Sequence, residues 1–345
     1  MEKNIYVLGT TIETGNLIQG LTSKFTISGV FTLNSTTNIN SISGYSKLND
    51  LLNRHNIPIY ELESYTLKSD NDSKLITELK IDILIVYGWQ RLIPAWLLKH
   101  VSIATIGVHG SPDGITAGRG RSPQNWALIL GAKKFYFSLF QLSEGIDSGN
   151  VIISASYSIV AKDDICTVYR KLTKISIKLI SNFLSDPIVY LKTSKIQKGK
   201  AYYYPKRIPT DGAIDWRANS ESINNLVRAL TRPYPGAFTF YRHQKIYIWK
   251  IEKALESNSR IKQNPGVIIS NNGRSDICVS TNDGYIKILE YDCDSPLDIQ
   301  EGDSFISHSE REILGVIIQR HYQTYPDFPI SPRLSSYWES LNAGR

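Results

Sequence analysis

The chain has 345 residues, 41% hydrophobic and 21% charged, a composition that excludes wholesale disorder and allows two domains with cores of their own. Its net charge is +7, without a run of five like charges, which excludes a basic tail and permits an acidic partner such as a phosphate, a sugar nucleotide or a nucleic acid, without choosing among them. Three widely spaced cysteines without a CxxC motif exclude a disulfide framework and a zinc site.

Apolar runs along the chain are short. None approaches the roughly 20 residues that a membrane span needs, and the run at the start is too short for a signal peptide. We therefore expect a cytoplasmic protein. Neither an HExxH motif nor a GxxxxGK[ST] loop occurs, so we expect no metal and no P-loop nucleotide site.

The first part of the chain alternates short apolar runs with segments of helical spacing. The apolar runs predict strands at residues 4–8, 25–33, 57–62, 81–87, 103–108, 135–142 and 151–160. The helical spacing predicts helices at residues 18–21, 48–54, 73–80 and 163–184. This order predicts an α/β fold, with a mostly parallel, Rossmann-like sheet and helices on both faces.

A turn-rich boundary near residues 197–205 separates this part from the rest of the chain. Beyond it, helical spacing predicts helices at residues 220–230 and 309–322. Short alternating runs predict strands at residues 237–241, 245–251, 266–269, 277–280 and 285–289. We therefore predict a catalytic domain (1–198), a small β-rich, barrel-like (OB-like) domain (199–300) and a C-terminal helical extension (301–345).

Two segments that follow neighbouring predicted strands are expected to meet, because open α/β sheets bind ligands beyond the carboxyl ends of their strands. Residues 88–94 follow the strand at 81–87, and His109 follows the strand at 103–108. A histidine just past a buried strand and beside small residues is placed to act as an acid or base on a ligand. A structural loop histidine is the alternative.

Asp147 lies in the turn EGIDSG at residues 144–149, where it is either a turn residue or the partner of His109. A carboxylate beside an imidazole stabilises its protonated form and fixes its orientation. A third segment, GRGRSPQNW, places two arginines before the predicted helix start at Ser122 and Pro123. It favours either anion binding or a solvated basic loop. The first strand is followed by GTTIETG and not GxGxxG, so a dinucleotide site is poorly supported.

Together these motifs resemble the folate-dependent formyltransferases, a family that includes methionyl-tRNA, sugar-nucleotide and glycinamide ribonucleotide formyltransferases. The resemblance rests on HGS at 109–111, GRGRSPQNWALILG at 118–131 and EGIDSG at 144–149, in that order. The segments DGAIDW (211–216) and RALTRPYPGAF (228–238) resemble the small C-terminal barrel of the transfer-RNA and amino-arabinose enzymes. The resemblance covers roughly residues 1 to 290.

The resemblance implies an enzyme that takes its formyl group from 10-formyltetrahydrofolate. It implies that His109 is the catalytic proton donor to the tetrahedral intermediate, and that Asp147 supports His109 and helps to remove a proton from the amine. It further implies contacts to the cofactor by Arg91, Leu92, Ile93, Arg121, Ser143, Glu144, Gly145, Ile146 and Asp147.

One position departs from the family pattern Asn-x-His, because residue 107 is glycine. An oxyanion donor of the kind that this Asn supplies is worth about 10²–10³ in rate. Gln90, Ser111 or Asn125 could replace it. The departure keeps open a folate- or nucleotide-binding protein without turnover.

The acceptor is predicted from the loop after the second strand, where transfer-RNA formyltransferases usually carry a basic segment. Residues 34–48 hold one lysine and no arginine, although binding nucleic acid requires cations. This disfavours transfer RNA and favours a UDP- or dTDP-linked amino-deoxysugar, including an amino precursor of a nonulosonic acid such as pseudaminic acid. Methionyl-tRNA and a hydroxylated ornithine are the alternative acceptors, and a homodimer stays open.

Overall fold

The computed structural model of the chain describes residues 3–34, 42, 44–254, 263–271 and 276–343. The chain forms two compact units. The first unit consists of Met1–Arg119, Tyr136–Tyr157 and Tyr169–Lys200, and the second unit of Gly120–Phe135, Ser158–Val168 and Ala201–Arg345. The predicted domain boundaries after residues 198 and 300 stay predictions. Residues 35–41 and 43 of the loop that disfavours transfer RNA lie outside the described residues.

In the described part of the first unit, seven strands form one sheet in the order β3-β2-β1-β4-β5-β7-β8. The bounds are β1 (Ile5–Leu8), β2 (Gly29–Leu33), β3 (Ile59–Leu62), β4 (Ile83–Val86), β5 (Ala104–Ser111), β6 (Arg119–Gly120, outside this sheet), β7 (Lys134–Gln141) and β8 (Val151–Ser158). The five strands β3 to β5 along this order run parallel, and β7 runs antiparallel to β5. The predicted mostly parallel α/β sheet is confirmed.

A helix lies between each pair of parallel strands that follow each other along the chain in the first unit, as the alternating pattern predicts, and further helices lie in the second unit. Their bounds are α1 (Ile12–Leu21), α2 (Leu48–Leu52), α3 (Asp70–Thr77), α4 (Ala95–His100), α5 (Gly114–Ala117), α6 (Pro123–Ile129), α7 (Ile165–Ser185), α8 (Pro187–Lys192), α9 (Ser220–Leu230), α10 (Glu310–Thr324) and α11 (Pro332–Ala343). Strands β1 and β4 are buried along their whole length, as expected for parallel strands covered on both faces. The core of this unit therefore gathers apolar side chains such as Leu8, Phe31, Leu62 and Leu84.

The second unit contains an antiparallel sheet, which has five strands within the described ranges, in the order β10-β11-β14-β13-β12. The bounds are β9 (Tyr203–Tyr204, outside this sheet), β10 (Ala237–Tyr241), β11 (Gln244–Ala254), β12 (Ile268–Asn271), β13 (Ile277–Ser280) and β14 (Tyr285–Cys293). Along β14, buried Ile286 and Ile288 alternate with more exposed residues, which is the period-2 pattern of a half-buried strand. The predicted small β-rich domain is thus confirmed as an antiparallel sheet.

The residues after position 300 belong to the second unit and carry two helices, α10 and α11, of which only α10 was predicted. The backbone N–H of Ile306 donates to the carbonyl of Phe240 at 2.8 Å, and Leu314 and Ile317 of α10 are buried. The helical extension is therefore part of the core of this unit. Among the residues described, none of the helices is both long and apolar enough to cross a membrane.

Candidate active site

His109 lies inside strand β5 and not after it, so the predicted end of this strand at Val108 was wrong. Its backbone stays in the ladder with β7, where His109 stands opposite Ser138 and Ser111 stands opposite Tyr136. The strand continues because β7 offers a partner, although His-Gly-Ser has none of the apolar character that marks a buried strand in the sequence. A histidine on a sheet strand is held more rigidly than one on a loop.

Both ring nitrogens of His109 face oxygen atoms of the first unit. Nδ1 lies 3.3 Å from Oδ2 of Asp147, and Nε2 lies 2.7 Å from the carbonyl oxygen of Gly118. A carbonyl only accepts, so Nε2 carries a proton and donates it to Gly118. The ring is 9% exposed, and the Asp147 side chain is 19% exposed. The predicted pairing of His109 with Asp147 is present in the geometry, while the catalytic role of each residue stays a prediction.

Asp147 reaches His109 because the turn between β7 and β8 folds back tightly. Asp147 has a φ of 47°, in the left-handed region that aspartate tolerates better than most residues. A Cβ atom on Gly149 would lie 1.6 Å from the carbonyl oxygen of Gln141, so only glycine fits there. The hydroxyls of Ser143 and Ser148 are 2.6 Å apart and close the turn. Of the other predicted cofactor contacts here, Glu144 and Gly145 are exposed and Ile146 is half-buried.

The loop after β4 begins beside this strand, because the β4–β5 register pairs Val86 with Gly107. Tyr65 supports the loop from the segment after β3. Its hydroxyl accepts from the backbone N–H of Gln90 at 3.0 Å, and the guanidinium carbon of Arg91 lies 4.4 Å from its ring centroid. The ring also meets Trp89 edge-on at 4.8 Å. Sequence reasoning missed Tyr65, since a lone tyrosine in a polar segment gives no signal of a loop contact.

The predicted cofactor residues of this loop differ in exposure. Leu92 is 55% exposed, whereas Ile93 is buried. Arg91 is exposed, with its guanidinium over Tyr65. Trp89 is 7% exposed, and its indole N–H has no hydrogen-bond partner among the described residues. Most buried donors in proteins are hydrogen-bonded, so this indole N–H is an exception among the described residues, and it lies in the core of the first unit.

The position that usually holds asparagine is filled by a neighbouring side chain. A Cβ atom on Gly107 would lie 3.0 to 3.4 Å from the terminal carbons of Leu142. Of the conceivable replacements, Ser111 is already occupied, since its hydroxyl donates to the Gly114 carbonyl at 2.8 Å and accepts from the Asp113 N–H at 3.1 Å. Asn125 lies in the second unit, where its Nδ2 donates to the carbonyl of Ala229 at 2.7 Å.

Arg121 and the helix start at Ser122 belong to the second unit. Helix α6 begins at Pro123, as the Ser-Pro pair predicts, and Ser122 precedes it with a φ of 54°. The Arg121 N–H donates to the carbonyl of Tyr204 at 2.9 Å, and the residue is half-buried. A contact of Arg121 with the cofactor stays a prediction.

Gln197 is a second residue that sequence reasoning missed. Its side-chain Nε2 donates to the carbonyls of Asp147 at 2.7 Å and of Gly149 at 2.8 Å. In the sequence it stands in QKGK, a polar segment that reads as a domain boundary, so no local pattern distinguishes it. The amide therefore contacts the turn that brings Asp147 to His109.

Comparison with protein families matches two models that follow each other along the chain. Residues 32–184 match the family described as formyl transferase, and residues 207–301 match the formyl transferase C-terminal domain. The mostly parallel sheet and the C-terminal antiparallel sheet agree with this class of proteins. The chain belongs to the formyl transferase family.

Among curated proteins, the bifunctional polymyxin resistance protein ArnA of Wigglesworthia glossinidia brevipalpis is 34% identical over 224 residues. That alignment covers 64% of this chain and 32% of the relative, so the chain spans about a third of the length of this relative.

Among solved structures, HypX from Aquifex aeolicus superimposes with a TM-score of 0.61 at 15% identity, over 92% of this chain and 50% of HypX. An N-formyltransferase from Helicobacter canadensis, in complex with folinic acid and dTDP-3-aminofucose, gives a TM-score of 0.58 at 15% identity. That superposition covers 85% of this chain and 100% of the Helicobacter canadensis chain. Identities this low show a shared fold.

Proposed function

We propose that this protein is an N-formyltransferase that moves a formyl group from 10-formyltetrahydrofolate to the amine of a nucleotide-linked amino-deoxysugar. The observation that carries the proposal is the pair formed by His109 and Asp147, 3.3 Å apart at the edge of the parallel sheet. Such edges are where α/β sheets bind their ligands. An imidazole oriented by a carboxylate is an acid–base group of the kind that acyl transfer needs.

The loop at residues 88–93 has the features that a folate requires. Leu92 supplies exposed apolar surface, and exposed Arg91 supplies a cation for an anionic tail. 10-Formyltetrahydrofolate, when bound, supplies the formyl carbon. These residues, with the turn at 143–147, are those that we propose to hold it.

Side chains of the protein itself would carry out the proton transfers. In the structure the Nε2–H of His109 donates a hydrogen bond to the Gly118 carbonyl, and the Asp147 carboxylate lies 3.3 Å from Nδ1. We propose that His109 donates a proton to the oxygen that develops negative charge. Asp147 stabilises the charged ring and helps to take a proton from the amine. The amine nitrogen would bond to the formyl carbon as the bond from that carbon to the folate nitrogen breaks, and the proton lost by the amine would end on that folate nitrogen. General acid–base catalysis of this kind is worth about 10²–10⁴ in rate.

A sugar nucleotide is the acceptor that the available observations favour. The loop at residues 34–48 has one lysine and no arginine, which is little charge for an acceptor arm of RNA. The similar Helicobacter canadensis enzyme is in complex with a dTDP-linked aminofucose, and the similar protein WlaRD is a sugar 3N-formyl transferase solved with dTDP and 5-N-formyl-THF. Both likenesses are at the level of fold, and they support the proposal without fixing the sugar.

The test is a turnover assay with 10-formyltetrahydrofolate and a panel of UDP- and dTDP-linked amino sugars, in which tetrahydrofolate release is measured. His109→Ala should abolish release, while His243→Ala, a change at an exposed histidine of the second unit, should leave it unchanged. Release with methionyl-tRNA alone, falling steeply with salt, would establish the transfer-RNA alternative. Folate binding without release from any acceptor would establish a binding protein, the alternative that Gly107 keeps open.

A further inference from the structure

Gln197 lies on a segment that is anchored to the first unit. The backbone of Lys195 pairs with Val151 at the start of β8 through two N–H···O bonds of 2.8 Å. Two residues further on, the half-buried side chain of Gln197 enters the network around His109. Because the backbone is already fixed at this point, the contacts of the side chain require only the ordering of the side chain itself.

The carboxamide of Gln197 uses both its donor and its acceptor atoms. Nε2 donates to the carbonyls of Asp147 and Gly149 at 2.7 and 2.8 Å. Oε1 accepts from the hydroxyl of Thr116 at 3.0 Å and from Nη2 of Arg119 at 2.9 Å. Two N–H groups and two oxygen lone pairs are the full capacity of a carboxamide, so this side chain is completely satisfied.

These four bonds end on the two segments that contact His109. One is the turn that presents the Asp147 carboxylate to Nδ1. The other is the segment 116–119, in which the Gly118 carbonyl accepts the hydrogen bond from Nε2. We propose that Gln197 is a positioning residue that holds both polar neighbours of His109, the Asp147 carboxylate and the Gly118 carbonyl, in place.

This inference rests on the proposed function only for its kinetic consequence. A misplaced catalytic group reduces rate more than it reduces binding, because orientation matters most in the transition state. Loss of the Gln197 bonds should therefore lower kcat and leave the KM for the amine little changed. It should also loosen His109 whether or not the protein catalyses the proposed reaction.

Gln197→Glu is the sharpest variant, because it keeps the size and the acceptor oxygens that face Thr116 and Arg119. It removes both N–H donors, so that a carboxylate faces the carbonyls of Asp147 and Gly149. We expect kcat to fall about tenfold or more, the loss that corresponds to roughly one hydrogen bond. Lys198→Ala, at the exposed neighbouring position, is the matched control and should have no effect.

A double-mutant cycle with Asp147→Asn separates positioning from general damage. If Gln197 acts through Asp147, Gln197→Glu should lower kcat much less in the Asp147→Asn background than in the wild type. The melting temperature of each variant shows whether the protein is still folded. If all variants are folded and the two substitutions lower kcat by independent factors that multiply in the double variant, the inference is overturned.

A second readout needs no turnover. Diethyl pyrocarbonate modifies accessible imidazoles, and mass spectrometry of the peptide that contains His109 gives its rate of modification. Gln197→Leu should raise this rate, and Lys198→Ala should not. An unchanged rate would overturn the inference even in an active enzyme. A raised rate in a protein without formyltransferase activity would support the positioning and reject the proposed function.

Discussion

Residue 107 is glycine where the family pattern has asparagine, and the side chain of Leu142 lies against it. Leu142, the first residue after β7, occupies the space that a side chain on Gly107 would enter, with its Cδ2 atom 3.0 Å from the Cβ position. From the sequence, the departure from Asn-x-His is visible, but its compensation is not. The leucine lies 35 residues further on, and only the antiparallel pairing of β5 with β7 brings the two together.

Restoring the family residue should therefore depend on Leu142. Gly107→Asn alone is expected to lower the melting temperature, because the neighbouring leucine must move by a few tenths of an ångström or more within a packed interior. In the Gly107→Asn background, Leu142→Ala should cost less stability than it does in the wild type. Urea unfolding of the wild type, the two single variants and the double variant gives the coupling free energy between the two positions. Fully additive changes in the free energy of unfolding would contradict the idea that Leu142 fills the space beside Gly107.

At the scale of elements, segments with clear helical spacing were predictable, whereas several others, the 12-residue helix α11 among them, were not. Helix α9 begins and ends at the predicted residues, because its apolar positions recur at helical spacing over three turns. Helices α4 and α8 have six residues each, too few for a period to show. The end of β5 was misplaced for a different reason, since its last three residues stay in the strand through a partner that is distant in sequence.

Strand β4 is tied at its start by Asp82, whose carboxylate accepts from the Asn4 N–H at 2.9 Å and from the Ser102 hydroxyl at 2.7 Å. These two hydrogen bonds, the backbone one foremost, lower the pKa of Asp82 below its ordinary value. The stabilisation is therefore fully present above the unfolded pKa of about 3.9, and it is lost as the pH falls through the lower folded value.

Asp82→Asn should accordingly destabilise the protein at pH 7 and have progressively less effect below about pH 4. Urea unfolding of both proteins between pH 7 and pH 2.5 measures the difference in free energy of unfolding. Asp70→Asn, at the exposed start of α3, is the control. A difference between wild type and Asp82→Asn that stays constant across this range would show that the ionised carboxylate is not what ties the strand.

At the scale of the whole molecule, the match to the family models ends at residue 301, whereas regular structure continues beyond it in α10 and α11. Sequence reasoning treated the residues after 300 as an extension, since nothing in a local pattern says what a helix packs against. The structure places α10 and α11 within the second unit, with Phe305 stacked on Trp216 at 5.5 Å. The acceptor was inferred from the sequence chiefly through the charge of one loop, of which residues 35–41 and 43 lie outside the described ranges.

Helix α10 offers a matched pair that tests whether the C-terminal residues are structural. Leu314→Ala removes a side chain that is 3% exposed and should cost about 2–5 kcal/mol of unfolding free energy. Val316→Ala, two residues away and 55% exposed, should change it by less than about 0.5 kcal/mol. Denaturant unfolding followed by circular dichroism compares the two. Equal and small effects would mean that α10 is a peripheral addition.

The central claim, formyl transfer that depends on His109, is tested most directly by tetrahydrofolate release from 10-formyltetrahydrofolate with each nucleotide-linked amino sugar. We expect release that requires one such sugar. Its rate should fall by about 10²–10⁴ in His109→Ala and stay unchanged in His243→Ala. Release that is equal in wild type and His109→Ala would contradict it.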